Sequence, residues 1–308
     1  MKNLIIDGSE EFLKNLIRLK PNHLNAHVSL ALIYANTGDN QNAIECFKKV
    51  IRIKPDLVDA HCDLGRLYGK TGEHQKAITS LKEAIRLQPN YADAHYGLGI
   101  MYEELNDYPG AIASYKEAIR LQPDQSGARY SLGRAYAETE QYPKAIEYFK
   151  EVLRIQPDDA EAHCALGYSY WRTGDKEQAE TCLKESIRLK PGMFEPYMSL
   201  GTLYGENGRY PEAMECFKKA IHLKPADAIA HNNLGFMHWK TGDNQKAMEC
   251  YEEAIYIDPE LAIAHYNLGV SCEQTGDKDK AIGCYKEALR IDPNYEDARA
   301  RLDALNRK

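Results

Sequence analysis

The sequence predicts an all-α solenoid, a row of helical pairs stacked edge to edge. Nine prolines, Pro21, Pro55, Pro89, Pro123, Pro157, Pro191, Pro225, Pro259 and Pro293, each fall 34 residues after the one before. Eight full units beginning at Leu24, Val58, Ala92, Ser126, Ala160, Phe194, Ala228 and Ala262 align without a gap. Large residues at a spacing of four on each half of the unit, with tiny residues between them, describe two helices whose backbones approach closely. A fixed short period replaces the two domains that 308 residues would otherwise suggest with one repeat array.

The first half of each unit carries Leu at position 7 (Leu30 to Leu268) and Gly at position 8 in seven units (Gly65 to Gly269), with Ala31 in the first. Tyr fills position 11 in the first six units. The recurring Thr-Gly-Asp of Thr37-Gly38-Asp39, Thr173-Gly174-Asp175, Thr241-Gly242-Asp243 and Thr275-Gly276-Asp277 supplies a left-handed glycine after one helix and an Asp cap for the next. Pro109, Pro143 and Pro211 open second helices, where the missing N–H costs nothing. Position 20 is always Ala, and position 24 is Phe, Tyr or Leu. The periodic proline closes the second helix, and Asp56, Asn90, Asp124, Asp158 or Asn294 after it is expected to cap the next first helix. Glu140 stands where its counterparts are Gly or Asn, so a strained or differently closed turn is expected there.

Leu-Gly, a Tyr three later, then Ala, an aromatic four later and Pro, all at period 34, resemble the tetratricopeptide repeat. The match covers nearly the whole chain and implies a right-handed superhelix of helix-turn-helix units. The expected organisation is an N-terminal segment with a lone second-type helix (1–23), eight repeats (24–57, 58–91, 92–125, 126–159, 160–193, 194–227, 228–261, 262–295) and a capping helix (296–308). One departure lies at position 4, where the family often has Trp and this chain has His27, His61, His95, Arg129, His163, Tyr197, His231 and His265. These side chains are a repeat apart, too far for ligands that must all lie about 2 Å from one metal ion. They are expected to be partly buried rings hydrogen-bonding near the inter-helix seam.

The two ends differ. Ser9 to Lys20 matches a second helix only, and Leu4, Ile5 and Ile6 could fold back over its uncovered side; otherwise the start is a truncation or a joint to another module. Glu296 to Arg307 matches a first helix only, with Asp303 and Asn306 facing outward as a solenoid cap requires, and reads as a real end.

Composition narrows the function classes. The chain is 44% apolar and 28% charged with net charge −7, unlike a general nucleic-acid binder. No apolar run reaches the roughly 18 residues that a membrane span needs, and the N-terminus lacks a secretory pattern. Cys46, Cys182, Cys216, Cys250 and Cys284 share one repeat position and Cys62 and Cys164 another, so free thiols in a reducing, cytoplasmic location are expected. Repetition spreads each residue type along a line instead of converging groups at one point. No phosphate-cradling loop, Cys-x-x-Cys pair or catalytic signature is present, so neither catalysis nor a cofactor or metal is expected.

The resemblance implies that first helices line a concave groove, on which positions 2, 5, 6, 9, 12 and 13 lie together. These positions hold ten acids (Asp59, Asp63, Asp93, Glu103, Glu104, Glu138, Glu161, Glu195, Glu206, Glu273) against five bases (Arg66, Lys70, Arg134, Arg172, Lys240). Aromatics are interleaved: Tyr96, Tyr130, Tyr168, Trp171, Phe236, Trp239 and Tyr266. Protein-binding hot spots favour Trp, Tyr and Arg, and Tyr130, Arg134, Tyr168, Trp171 and Arg172 form the expected anchor. The competing expectation is that the tryptophans pack against the next unit's helix.

Family domains that clamp acidic chaperone tails use Lys at position 5 and Asn at position 9, and no unit here has either. The scaffold of O-linked N-acetylglucosamine transferase is similar in placing Asn at position 6, where this chain offers only Asn233 and Asn267. A basic row on the second helices, Lys48 to Lys218 with Arg52, Arg86, Arg120, Arg154, Arg188 and His222, suits helix dipoles and solubility, or else an anionic partner. The expected function is a non-catalytic scaffold that holds an extended or helical, basic or apolar protein segment. The expected chain is a monomer, or a weak homo-oligomer through its N-terminal end. Two further readings stand beside this: a regulatory or substrate-presenting arm of a larger enzyme such as a glycosyltransferase, and a self-assembling scaffold.

Overall fold

The computed structural model describes residues 2–306, with side chains from Ser9 onward, so the expectation for Leu4, Ile5 and Ile6 lies outside the described residues. All regular structure among them is helical. The chain divides into two compact units, Met1–Pro157 and Asp158–Lys308. The first unit contains α1 (Lys2–Leu19) and the pairs α2 (Leu24–Thr37) with α3 (Asn40–Ile53), α4 (Val58–Lys70) with α5 (His74–Leu87), α6 (Ala92–Glu104) with α7 (Tyr108–Leu121) and α8 (Ser126–Glu138) with α9 (Tyr142–Ile155). The second contains α10 (Ala160–Thr173) with α11 (Lys176–Leu189), α12 (Glu195–Glu206) with α13 (Tyr210–Leu223), α14 (Ala228–Lys240) with α15 (Asn244–Ile257), α16 (Ala262–Thr275) with α17 (Lys278–Ile291), and α18 (Glu296–Asn306). No helix among the described residues is long and apolar enough to cross a membrane.

Each pair closes on the contact between positions 8 and 24. A Cβ added to Gly99 would lie 2.5 Å from the Tyr115 ring, and one on Gly133, Gly201 or Gly235 would lie 2.8 Å from the ring of Phe149, Phe217 or Tyr251. Those rings are among the most deeply buried side chains of the chain. Each large side chain so buried stabilises by about 1.5–3 kcal/mol, and the missing Cβ is what lets it reach the facing helix.

The turns follow the local chemistry. Gly38, Gly174 and Gly276 end α2, α10 and α16 in the left-handed region. Asp39, Asp107, Asp175, Asp243 and Asp277 accept backbone N–H groups at the start of α3, α7, α11, α15 and α17. Glu140 is forced to φ 57°, as is Asn106 at φ 58°, where the other turns use glycine; the expected strain at this turn is therefore present. One expectation is corrected. The acids and amides directly after the periodic prolines do not cap the first helices, because they sit with the proline in a turn and one extended residue follows before the helix starts. The caps are Leu57, Tyr91, Gln125 and Leu261, without a side-chain bond, and Asp159 and Asp227, with one.

Position 4 ties six of the repeats to the preceding proline. The Nε2 atoms of His27, His61, His95, His231 and His265 lie 2.8–3.0 Å from the carbonyl oxygens of Pro21, Pro55, Pro89, Pro225 and Pro259. Arg129 donates to the Pro123 carbonyl in the same way. Proline frees no N–H but keeps a strong acceptor, and the position-4 donor satisfies it at the seam. All eight cysteines are free thiols.

Within each unit the first helices lie closer to one another than the second helices do. Contacts run directly from α4 to α6 and α6 to α8 in the first unit, and from α10 to α12, α12 to α14 and α14 to α16 in the second. On the opposite side part of the basic row is neutralised along its own helices. Arg86, Arg120 and Arg188 form bidentate pairs with Glu83, Glu117 and Glu185 three residues earlier.

Candidate protein-interaction face

The residues at the groove positions fall on the first helices of both units. In the first unit, Tyr96 and Tyr130 are half-buried, their rings 5.8 and 5.6 Å from the position-24 rings of Tyr115 and Phe149. Arg134 is exposed but bound to Glu103 of the preceding repeat at 3.0 Å. Glu103 also accepts the Tyr115 hydroxyl at 2.6 Å, so this acid and this base neutralise each other.

In the second unit, Tyr168, Trp171 and Arg172 form a cluster of their own. The Tyr168 and Trp171 rings meet edge to face at 5.6 Å, and Arg172 Nη1 donates to the Tyr168 hydroxyl at 2.8 Å. Trp171 Nε1 donates to Glu206 of the next repeat at 2.7 Å. Trp239 repeats the arrangement, donating to Gln274 at 2.8 Å. Both indoles are half-buried. Each is thus packed against the next repeat's first helix, as the competing expectation had it, while part of its ring stays on the surface.

The last two repeats contain a cavity of about 220 Å³ lined by Phe236, Trp239, Lys240, Tyr251, Tyr266, Asn267, Val270 and Arg301. The Trp239 and Phe236 rings stack at 5.6 Å with an interplanar angle of 19°. Lys240 Nζ lies 5.0 Å from the Trp239 centroid and 5.1 Å from that of Phe236. Tyr266 stands 5.0 Å from Tyr295 and 5.9 Å from Tyr285. Asn267 Nδ2 donates to Asn232 Oδ1 at 2.9 Å, and Asn232 Nδ2 lies 3.3 Å from Asn233 Oδ1. This chain of amides leaves Asn233 its N–H donors and Asn267 its carbonyl.

Arg301 donates to Glu273 at 2.9 Å, and Glu273 also accepts the Tyr285 hydroxyl at 2.9 Å. The Glu103 knot of the first unit is repeated here. Burial opposes the Arg301 charge, but hydrogen bonds with Tyr266 and Glu273 outweigh it and raise its pKa. At the N-terminal ends of α14 and α16, Ile229 and Ile263, both at position 2, are 55% and 39% exposed, where Asp59, Asp93, Glu161 and Glu195 stand in earlier repeats.

The count of groove acids changes meaning once partners are assigned. Asp63, Glu103, Glu161, Glu195 and Glu273 are ion-paired with Arg66, Arg134, Lys190, Lys224 and Arg301. Asp59, Asp93, Glu104 and Glu138, all in the first unit, have no cationic partner among the described residues. Sequence reasoning did not single out Arg301, Val270 or Tyr251 for the site. Arg301 was legible: carrying the repeat count into α18 puts it at position 6, the place of Asn233 and Asn267.

A family profile described as cilia and flagella-associated protein 70 C-terminal domain matches residues 94–305. One described as TPR repeat matches residues 36–72 and 65–106. No curated protein matches the chain. Among solved structures it is similar to the APC/C hetero-tetramer Cut9-Hcn1, at 18% identity and TM-score 0.64 over 96% of this chain and 58% of that one. It is also similar to MamA protein, at 24% identity and TM-score 0.50 over 56% of this chain and 93% of that one. YrrB, titled a TPR protein with an unusual peptide-binding site, aligns at 23% identity and TM-score 0.49 over 60% of this chain and 95% of that one. With helix pairs repeating at the interval of the sequence and the first profile covering more than half of it, the chain belongs to the tetratricopeptide-repeat family described as the cilia and flagella-associated protein 70 C-terminal domain.

Proposed function

We propose that the chain is a non-catalytic protein-interaction scaffold that holds an extended or helical partner segment along the face of its first helices. The observation that carries this reading is the partly exposed aromatic and apolar surface of α14 and α16. There Phe236 and Trp239 line a preformed cavity, and Ile229 and Ile263 at the N-terminal ends of the same helices are exposed, although a solvated helix face has no use for such side chains. Basic residues of a partner suit the first unit, where Asp59, Asp93, Glu104 and Glu138 lack cations, and apolar residues suit the second.

Selection of a phage-displayed library of random twelve-residue peptides on the full chain tests the reading. Enriched peptides should lose roughly ten-fold or more in affinity for the Trp171→Ala, Trp239→Ala double variant, the loss of at least one hot-spot contact. Unchanged affinity would refute the assigned face, and selection of no peptide would refute the scaffold. A second reading is favoured by Phe12 and Leu19 on α1, 66% and 78% exposed. Pairing of two copies through α1 would appear as a concentration-dependent sedimentation coefficient, abolished by Phe12→Ser.

A further inference from the structure

We propose that the cavity between α14 and α16 is a subsite for one bulky, preferably aromatic, side chain of the partner segment with a carboxylate next to it. The inference rests on the scaffold reading and assigns the ligand chemistry at one place on the face. Size comes first. An apolar cavity of about 150 Å³ accommodates a benzene ring, so a cavity of about 220 Å³ accepts one aromatic or large aliphatic side chain.

The walls are already organised to receive it. Trp239 is held by Gln274 and stacked on Phe236, Tyr266 is held between Tyr285 and Tyr295, and Tyr251 lies against Gly235 with 1% of its surface exposed. Rings fixed in the free protein lose little freedom when a ligand arrives, and this favours binding.

Charge decides the neighbour. Two cations line the cavity, Lys240 and Arg301, and the acid that neutralises one of them is Glu273. Lys240 touches the Phe236 and Trp239 rings and has no carboxylate partner among the described residues. The site therefore carries one positive charge in excess. Arg301 uses Nη1 for Glu273 and also hydrogen-bonds Tyr266, and a guanidinium has five N–H donors, so an incoming carboxylate meets Lys240 and the remaining Arg301 donors. The preference is opposite to that of the first unit's face, with its unpaired acids.

The test uses three small probes on the full chain: 3-phenylpropionate, 3-phenylpropionamide and 3-phenylpropylamine. The sequence has two tryptophans, so their indole N–H resonances give a site-specific readout, assigned by Trp171→Phe. The acid should move the Trp239 resonance and leave that of Trp171 in place. Its Kd should be about three-fold below that of the amide, the size of one exposed charge pair, with the amine weakest. Lys240→Gln, an exposed substitution checked by an unchanged melting curve, should abolish the advantage of acid over amide.

A Trp239 resonance unmoved by all three probes overturns the subsite, as does an amine that binds as tightly as the acid. If selected peptides still bind while the probes fail, the subsite falls alone. If no peptide is selected, the scaffold reading falls whatever the probes do.

Discussion

Replacing Gly235 and Gly283 by alanine, one at a time, makes the same chemical change in two helices and should move stability in opposite directions. A Cβ on Gly235 would lie 2.8 and 2.9 Å from two ring carbons of Tyr251 and 3.1 Å from the Ala247 carbonyl oxygen. Neither neighbour has room to yield, since Tyr251 is 1% and Ala247 0% exposed. Overpacking of this kind costs about 1–3 kcal/mol. The helix propensity of alanine over glycine returns about 0.8–1 kcal/mol, leaving Gly235→Ala destabilised by about 1 kcal/mol. Gly283 in α17 has nothing within 4 Å of an added Cβ, so Gly283→Ala keeps the propensity gain of about 0.8–1 kcal/mol. Urea unfolding followed by far-UV circular dichroism should separate the two variants by about 2 kcal/mol. If Gly235→Ala were as stable as Gly283→Ala, the claim that position-8 glycines are set by ring contact would be wrong. Because Tyr251 also lines the cavity, the first variant should weaken 3-phenylpropionate binding as well.

Three further outcomes are expected. Glu140→Gly should raise the urea midpoint, since a non-glycine residue in the left-handed region costs about 1–2 kcal/mol and glycine returns only part of that as backbone entropy; a lower midpoint would refute strain at this turn. His265→Leu should cost about 0.5–1.5 kcal/mol by stripping the Pro259 carbonyl of its donor, and a neutral result would show that the seam bond is replaced by water. Burial pushes the thiols of Cys62 and Cys164 up to about 12 and those of Cys216, Cys250 and Cys284 up to about 11, from an ordinary value near 9. The folded chain then holds these protons more tightly than the unfolded one. Their contribution is complete below about pH 9 and is lost as pH rises through 11 and 12, so urea midpoints should fall from pH 9 to 11. In a chain with all five replaced by alanine that fall should be smaller, and an equal fall would refute the thiols as its cause.

The division between what could be read and what could not follows the range of the interactions. Contacts inside one repeat were legible, because eight copies print the same residues at the same places: the glycine facing a ring sixteen residues on, the Asp after the turn glycine, and the odd Glu140. The caps after the periodic prolines were misread by one residue, since the sequence marks a proline clearly but does not say how many residues the turn around it takes up.

The partners of long side chains on the first-helix face were not legible at all. No local pattern assigned Arg134 an acid, and only the packed structure hands it to Glu103, Trp171 to Glu206 and Arg301 to Glu273. Sequence by itself determined the repeat, its two helices and its buried seam, because those depend on residue size at fixed spacing. Tertiary structure alone decided which charges on the first-helix face remain uncompensated and where a cavity opens, because both depend on distances between neighbouring repeats that no local pattern specifies.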